Sequence, residues 1–268
     1  NAQRKAQGKK ALGDQALKKN FAEGLSRALA PRFANVLRTR FVGILPDEQG
    51  KGQESKVRSA KGFKKLDVNY STPELGLGLG VSIKTINYRD AGSGRYTKNY
   101  TRVDAELRAE ASDYHDRQPW AVMVAVVFLP VDACDDGLGK SASSFGGAVQ
   151  TFRFRAKRET PQHPSLLFER VFIGLYDNSP GPDYGNVFFF DVVAPPPKQG
   201  RPAVASRLTF DQLIGAITSV YDARNQPPFE WADAEAEPLS LPGAAGELPE
   251  SGMETDDDDE ETFSEEDE

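Results

Sequence analysis

Cysteine and histidine are scarce in this sequence, which has one cysteine, Cys134, and two histidines, His115 and His163, in 268 residues. One cysteine cannot form an internal disulfide bond, and so few scattered Cys and His residues cannot build a structural zinc site. No apolar run approaches the roughly 18 residues that a membrane-spanning helix needs, and the polar N-terminus has no apolar signal-peptide core. Composition therefore excludes disulfide-rich, zinc-ribbon and membrane-embedded classes, and we expect a cytoplasmic protein.

Positive charge is absent from the C-terminal residues 232–268, which contain 16 Asp and Glu and no Lys or Arg. The whole chain has 33 basic and 40 acidic residues, so residues 1–231 contain 33 basic and 24 acidic residues, an excess of nine positive charges. A segment as acidic as 232–268, with few large apolar residues, cannot bury enough surface to fold. We expect a basic arm over 1–13, one folded domain over 14–231 and a disordered acidic tail over 232–268.

The spacing of apolar residues predicts alternating helices and strands. Residues 120–129 are apolar on both faces, which is typical of a central strand in a sheet covered on both sides. The polar stretch 46–61 is interpreted as a loop or an irregular first strand, and the glycine-rich run 76–80 as a hairpin turn. The order of elements predicts an α/β fold with a mixed central sheet flanked by helices. The other predicted elements are a helix over 14–40 that Pro31 kinks or divides, strands over 63–70 and 79–87, a helix over 101–115, strands over 170–176 and 186–193, and a helix over 211–221.

An acidic residue and a basic residue lie on the two strands of the predicted hairpin. Asp67 belongs to the first strand, and the tripeptide Ser82-Ile83-Lys84 belongs to the second. Ser82 and Lys84 are two residues apart and share a face, which Asp67 can reach across the ladder. A carboxylate binds a hard cation through oxygen, and a neighbouring ammonium orients water and offsets phosphate charge. The pattern predicts a site that hydrolyses phosphodiester bonds.

This arrangement resembles the PD-(D/E)XK nuclease superfamily, the fold of many type II restriction endonucleases and phage-defence nucleases. In that family an Asp is followed on the next strand by Glu-x-Lys, and then by a helix and a buried strand. Here Asp67 is followed by Ser82-x-Lys84, the predicted helix 101–115 and the buried strand 120–129. The resemblance covers roughly residues 14–130 and lies mainly in the order of the elements around a short motif.

The chain departs from the family pattern at two positions. Leu66 precedes Asp67 where the family has Val-x-Asp or Pro-Asp, and Ser82 replaces the acidic residue before the lysine. One restriction-enzyme branch of the superfamily also has Ser-x-Lys, and there a Glu on the following helix supplies the missing carboxylate. The resemblance therefore implies a second carboxylate on the helix 101–115.

Two glutamates of that helix are candidates for the second carboxylate. At 100° per residue, Glu110 lies inside the apolar arc that Val103, Leu107 and Tyr114 define, and Glu106 lies at its edge. A carboxylate facing the packed side is costly unless it is paired or binds metal. Glu110 is therefore the first choice and Glu106 the second.

The resemblance implies a restriction-endonuclease-like fold and a Mg²⁺-dependent or Mn²⁺-dependent endonuclease that cuts DNA, in restriction or anti-phage defence. Asp67 and Glu110 would bind the metal, Lys84 would position the attacking water, and Ser82 would face the site. A homo-oligomer or a subunit of a defence complex is the assembly that such a role implies.

A basic loop beside the predicted site is the candidate for phosphate contacts. Arg95, Lys98 and Arg102 lie close together there, with Tyr96 and Tyr100 between them. A solvated loop without a nucleic-acid role is the alternative.

Simpler alternatives remain for each residue. Asp67 can end a strand or form an ion pair, Lys84 can be a solvated strand residue, and Glu110 can belong to an i, i+4 network on its helix. Glu23 is by the same resemblance an outer carboxylate, with a solvated helix residue as the alternative. The second functional hypothesis is a catalytically inactive nucleic-acid-binding or assembly subunit that keeps the nuclease fold. With either function, the acidic tail contacts the chain's own basic surface or recruits a partner.

Overall fold

Four α-helices, three short 3-10 helices and seven strands make up the regular structure in the computed structural model, which describes residues 14–73 and 76–225. The predicted basic arm, 1–13, and acidic tail, 232–268, lie outside the described residues, as does the end of the predicted domain, 226–231. The helices are α1 (Asp14–Leu37), α2 (Tyr100–His115), α3 (Ser144–Arg153) and α4 (Phe210–Asn225), and the strands are β1 (Ser55–Ser59), β2 (Gly62–Leu66), β3 (Val68–Thr72), β4 (Gly76–Thr85), β5 (Val122–Pro130), β6 (Arg170–Tyr176) and β7 (Val187–Asp191).

Strands β3 to β7 form one mixed sheet in the order β3-β4-β5-β6-β7. The three inner strands, β4, β5 and β6, are parallel, whereas β3 and β7 pair antiparallel at the two edges. Strands β1 and β2 form a separate antiparallel hairpin. The α/β class with a mixed central sheet is confirmed.

The side chains of β5 alternate between two hydrophobic clusters on opposite faces of the sheet. Met123 and Ala125 pack in a cluster with residues of α2 and α3, whereas Val124 and Val126 pack in a cluster with residues of α1 and α4. Every residue of β5 is buried, as the two-sided apolar pattern of 120–129 predicts. Within the described part of the chain, no helix is long and apolar enough to cross a membrane.

The predicted strand 63–70 is wrong, because two strands in different sheets occupy this segment. Asp67 is the single residue between the end of β2 at Leu66 and the start of β3 at Val68. In one continuous strand, residues 66 and 68 would point to the same face. Leu66 instead packs in the cluster with α2 and α3, and Val68 in the cluster with α1 and α4. The backbone therefore changes direction at Asp67.

The glycine-rich run 76–80 is part of β4, and its prediction as a hairpin turn is wrong. Thr72 pairs with Gly76 and Asn69 pairs with Gly80, so the run lies inside the ladder. A Cβ atom on Gly80 would lie 2.6 Å from the Sδ atom of Met123 and 2.9 Å from a methyl carbon of Leu66. Gly80 therefore allows close packing between strands.

Helix α3 was not predicted. It begins after Ser143, whose hydroxyl accepts a hydrogen bond of 3.1 Å from the N–H of Gly146, and it buries one apolar face. The residues of that face recur at intervals of three and four, a period that indicates a helix even though two adjacent glycines weaken helix propensity. The interpretation of 46–61 as a loop or an irregular first strand is confirmed, because the segment is irregular apart from β1, which provides the first strand of the hairpin.

Candidate active site

Asp67 is held by groups from both the helical and the sheet side of the fold. Its carboxylate accepts a hydrogen bond of 2.7 Å from the Ser26 hydroxyl on α1 and another of 2.7 Å from the backbone N–H of Ile83 on β4. Burial raises the pKa of Asp67, and the nearby charge of Glu110 adds to the increase, although both hydrogen bonds and the charge of Lys84 oppose it. The carboxylate is therefore fixed in position at an electrostatic cost.

Ser82 and Lys84 on β4 both contact Glu110 on α2. The Ser82 hydroxyl donates to one carboxylate oxygen of Glu110 at 2.6 Å, and the Lys84 ammonium donates to the other at 2.5 Å. The three side chains meet because Ile83 and its neighbours Leu79 and Val81 pack toward α1 and α4, which leaves the alternate residues of β4 facing α2. Hydrogen bonds thereby connect Glu110 to Ser82 and Lys84, which precede it by 28 and 26 residues in the chain.

Lys84 keeps its positive charge although the side chain is only 19% exposed. Burial by itself lowers the pKa of Lys84, but the charge and hydrogen bond of Glu110, with the charge of Asp67, outweigh it, and the net pKa is raised. Glu110 is 18% exposed, so the ion pair is shielded from solvent. The site therefore contains a protonated ammonium at neutral pH, held beside the side chains of Asp67 and Glu110.

A pocket of about 430 Å³ opens beside this cluster. Asp67, Lys84 and Glu106 line it, whereas Ser82 and Glu110 lie behind Lys84 and are not among its lining residues. Glu106 is 40% exposed and forms an i, i+4 ion pair with Arg102, which also lines the pocket. The hydroxyl of Thr85 is buried at this pocket and has no hydrogen-bond partner in the part of the chain that the structure describes. A bound water or ligand has to satisfy such an oxygen. The pocket therefore combines the Lys84 ammonium with polar groups that can bind a polar ligand.

The donor groups fit a magnesium ion better than a metal held entirely by protein. In the described ranges, no group of three or more His, Cys, Asp or Glu side chains is placed to hold a metal ion. Mg²⁺ is usually bound by one or two carboxylates, with water and substrate phosphate oxygens completing its shell. Asp67 and Glu110 provide two carboxylates, and each of their oxygens keeps a lone pair beyond the hydrogen bond that it accepts.

The three basic residues of the predicted phosphate-binding loop are separated in the structure. Arg102 lines both the pocket and an adjoining depression of about 470 Å³, where Lys98 and Lys19 also lie. Arg95 instead donates to the backbone oxygen of Ala142 and lies apart from both depressions. Arg102 and Lys98 are therefore brought beside the site, and Arg95 is not.

Sequence reasoning missed Ser26 and Arg27, two residues of α1 that line the pocket. Ser26 contacts a carboxylate 41 residues away, and a single serine on a helix carries no sequence signal for such a contact. Arg27 lies on the polar face of the predicted helix, which only the packing of α1 brings to the pocket. Glu23, the candidate outer carboxylate, lines the pocket too and lies 3.6 Å from Lys19 in an ion pair.

No family model, curated protein or solved structure matches this chain. The functional argument therefore depends on the geometry of the site.

Proposed function

We propose that the protein is a metal-dependent endonuclease that hydrolyses phosphodiester bonds of DNA. The observation that carries the proposal is the convergence of Ser82 and Lys84 on Glu110, next to the N–H of Ile83 that binds Asp67. A carboxylate from α2 thus occupies the place where the β4 motif lacks one. Two carboxylates and one ammonium beside an open pocket are the groups that phosphodiester hydrolysis needs.

Each residue has a distinct task in this proposal. Asp67 and Glu110 would hold Mg²⁺ or Mn²⁺, which when bound stabilises negative charge on phosphate and lowers the pKa of water. Lys84 donates hydrogen bonds that orient the attacking water and offset charge on the phosphate oxygens. Ser82 holds Glu110 from β4, and Ser26 holds Asp67 from α1. The water oxygen forms a bond to phosphorus as the bond to the leaving oxygen breaks.

The finer fold assignment, a restriction-endonuclease-like fold, is part of the same proposal. It is supported by the order of α1, the antiparallel pair β3 and β4, helix α2 and the buried parallel strand β5. The proposed place in restriction or anti-phage defence rests on the family resemblance.

A second candidate function is a nucleic-acid-binding or assembly subunit without catalysis. The observation that favours it is Ser82 itself, because a hydroxyl stands where the family has a carboxylate, and Glu110, the proposed replacement, is already the ion-pair partner of Lys84.

Plasmid cleavage distinguishes the two functions. The purified full chain is incubated with supercoiled plasmid in Mg²⁺, in Mn²⁺ and in EDTA, beside Asp67→Ala and a matched control, Asp116→Ala, at an exposed aspartate outside the pocket. We expect nicked or linear product with metal from the unchanged chain and from Asp116→Ala, but not from Asp67→Ala. No product from the unchanged chain with either metal would overturn the nuclease and favour the binding subunit.

A further inference from the structure

The hairpin of β1 and β2 has one buried and one exposed face. Val57, Ser59 and Leu66 are buried on one side, where the hairpin packs toward α2. The opposite side is formed by two cross-strand pairs, Lys56 with Lys65 and Arg58 with Phe63. We call these last four residues, Lys56, Arg58, Phe63 and Lys65, the hairpin face.

Two cations of the hairpin face have no acidic partner among the residues that the structure describes. Lys65 forms an ion pair of 2.7 Å with Glu54, whereas Lys56 and Arg58 have no carboxylate within salt-bridge distance among residues 14–73 and 76–225. The guanidinium of Arg58 lies 5.5 Å from the centre of the Phe63 ring, which is nevertheless 62% exposed. The face therefore presents positive charge around an accessible aromatic ring.

A groove of about 610 Å³ lies beside this face. Lys56, Arg58 and Phe63 line it, Arg117 lies on it after α2, and none of the described residues that line it is acidic. Asn69 and Ser71, on the edge strand β3, supply polar side chains to the same groove. The groove therefore suits an extended anionic ligand.

An exposed ring among cations is the arrangement that binds single-stranded nucleic acid. Lysine and arginine contact phosphates, and an unpaired base stacks on an aromatic side chain, whereas the bases of a duplex are stacked on one another. We propose that the hairpin face binds an unpaired stretch of the strand that the candidate active site cuts, with a base on Phe63 and phosphates beside Lys56 and Arg58. The inference rests on the proposed function, because it assumes that the hairpin face and the candidate active site bind the same nucleic acid.

The hairpin connects the two surfaces. Gln53 and Glu54, just before β1, line the candidate active-site pocket, and Lys56 and Arg58, within β1, line the groove. Glu54 directly precedes β1, and the three residue steps from Ser55 to Arg58 within the strand span about 10 Å. One strand of nucleic acid can therefore contact both surfaces over a few nucleotides.

Binding in EDTA tests the inference without cleavage. The full chain is titrated, with fluorescence anisotropy, into a labelled single-stranded DNA of about 12 nucleotides, within the site sizes of single-strand-binding folds, and into the blunt duplex of the same sequence. The variants are Phe63→Ala and the double variant Lys56→Ala/Arg58→Ala. The matched controls are Phe154→Ala, at a ring that is 75% exposed, and Lys140→Ala, neither of which lines the groove.

We expect Phe63→Ala to weaken single-strand binding about tenfold and duplex binding by less than about twofold, because only the unpaired base stacks on the ring. The double variant should reduce the salt dependence of single-strand binding, since it removes two phosphate contacts. The controls should bind both DNAs as the unchanged chain does.

Two outcomes would overturn the inference. One is single-strand affinity that Phe63→Ala leaves unchanged, and the other is an equal loss for single strand and duplex. Failure of the proposed function is a different result: the unchanged chain would not cut plasmid with metal, while its single-strand binding in EDTA would still depend on Phe63.

Discussion

The candidate active site and the hairpin face are close together in the chain but differ in how their charged side chains are paired. In the site, Lys84 is paired with Glu110, Arg102 with Glu106, and Asp67 accepts two hydrogen bonds. On the hairpin face, two of three cations have no carboxylate partner in the described part of the chain. Buried charges need partners because they lose their hydration, whereas exposed charges are stabilised by water. Substitutions in the site should therefore have large, specific effects, and those on the hairpin face smaller, salt-dependent ones.

The largest expected effect comes from removing a charged group of the site. Asp67→Ala and Lys84→Ala should each lower metal-dependent plasmid cleavage by on the order of 10³-fold, as loss of one preorganised charge does in other enzymes. Cleavage rates measure this, and circular dichroism checks that each variant stays folded. If both variants cut plasmid at the rate of the unchanged chain, Asp67 and Lys84 do not form the catalytic site. Substitutions there would then have no larger effect than those on the hairpin face.

The next largest effect should separate two glutamates of one helix. Glu110→Gln should lower cleavage by about 10²-fold, because it removes a proposed metal ligand and the partner of Lys84. Glu106→Gln should change cleavage by about twofold, because Glu106, although it lines the pocket, forms an exposed i, i+4 ion pair with Arg102 rather than a contact with Ser82 or Lys84. Rates and Mn²⁺ binding by calorimetry are compared for the two variants. Rates equal to that of the unchanged chain for both would remove the argument that α2 supplies the second carboxylate.

A smaller effect is expected from the acidic tail. Deleting residues 238–268 should tighten DNA binding severalfold at low salt and less at high salt, because a tethered polyanion competes with phosphate for cations and salt screens both contacts. Combining the deletion with Lys56→Ala/Arg58→Ala tests whether the tail and DNA compete for the hairpin face. Anisotropy at two salt concentrations measures both effects. Unchanged affinity at low salt would leave the tail as a solubility or partner-docking element.

The smallest expected effect is on stability. Burial raises the pKa of Asp67, so the folded protein keeps this proton to higher pH than the unfolded chain, and stability falls as pH rises through the folded pKa. Asp67→Asn should therefore raise the melting temperature at pH 7, since an amide can accept from Ile83 and donate to Ser26. The gain should shrink as pH falls toward the ordinary aspartate pKa. A melting temperature that is unchanged or lower at pH 7 would show that the carboxylate has no electrostatic cost.

The fold was most predictable where burial is uniform along an element. The two-sided apolar pattern of 120–129 located β5, and the period of 101–115 located α2 within one residue. The break at Asp67 could not be predicted, because Leu66 and Val68 are both good strand residues. Only their packing on opposite faces of the sheet separates β2 from β3.

The positions of the site residues could be predicted only where the geometry of a single helix determines them. The angular position of Glu110 on α2 directs it toward Ser82 and Lys84, where the structure places it. The contact of Ser26 with Asp67 depends on how α1 packs against β4, which no local pattern encodes. Whether these residues bind metal and cut DNA stays a prediction.

The single-residue connection at Asp67 has a mechanical consequence. The two-stranded sheet ends at Leu66 and the five-stranded sheet begins at Val68, so rotation of one sheet against the other changes the backbone torsions at Asp67. Such a rotation moves the carboxylate relative to Ser26 and Ile83. We therefore expect a ligand that reorients the hairpin to move the carboxylate of Asp67 as well. Linkage makes such an effect reciprocal, so that the ligand on the hairpin and the ligand at Asp67 would change each other's affinity by the same factor.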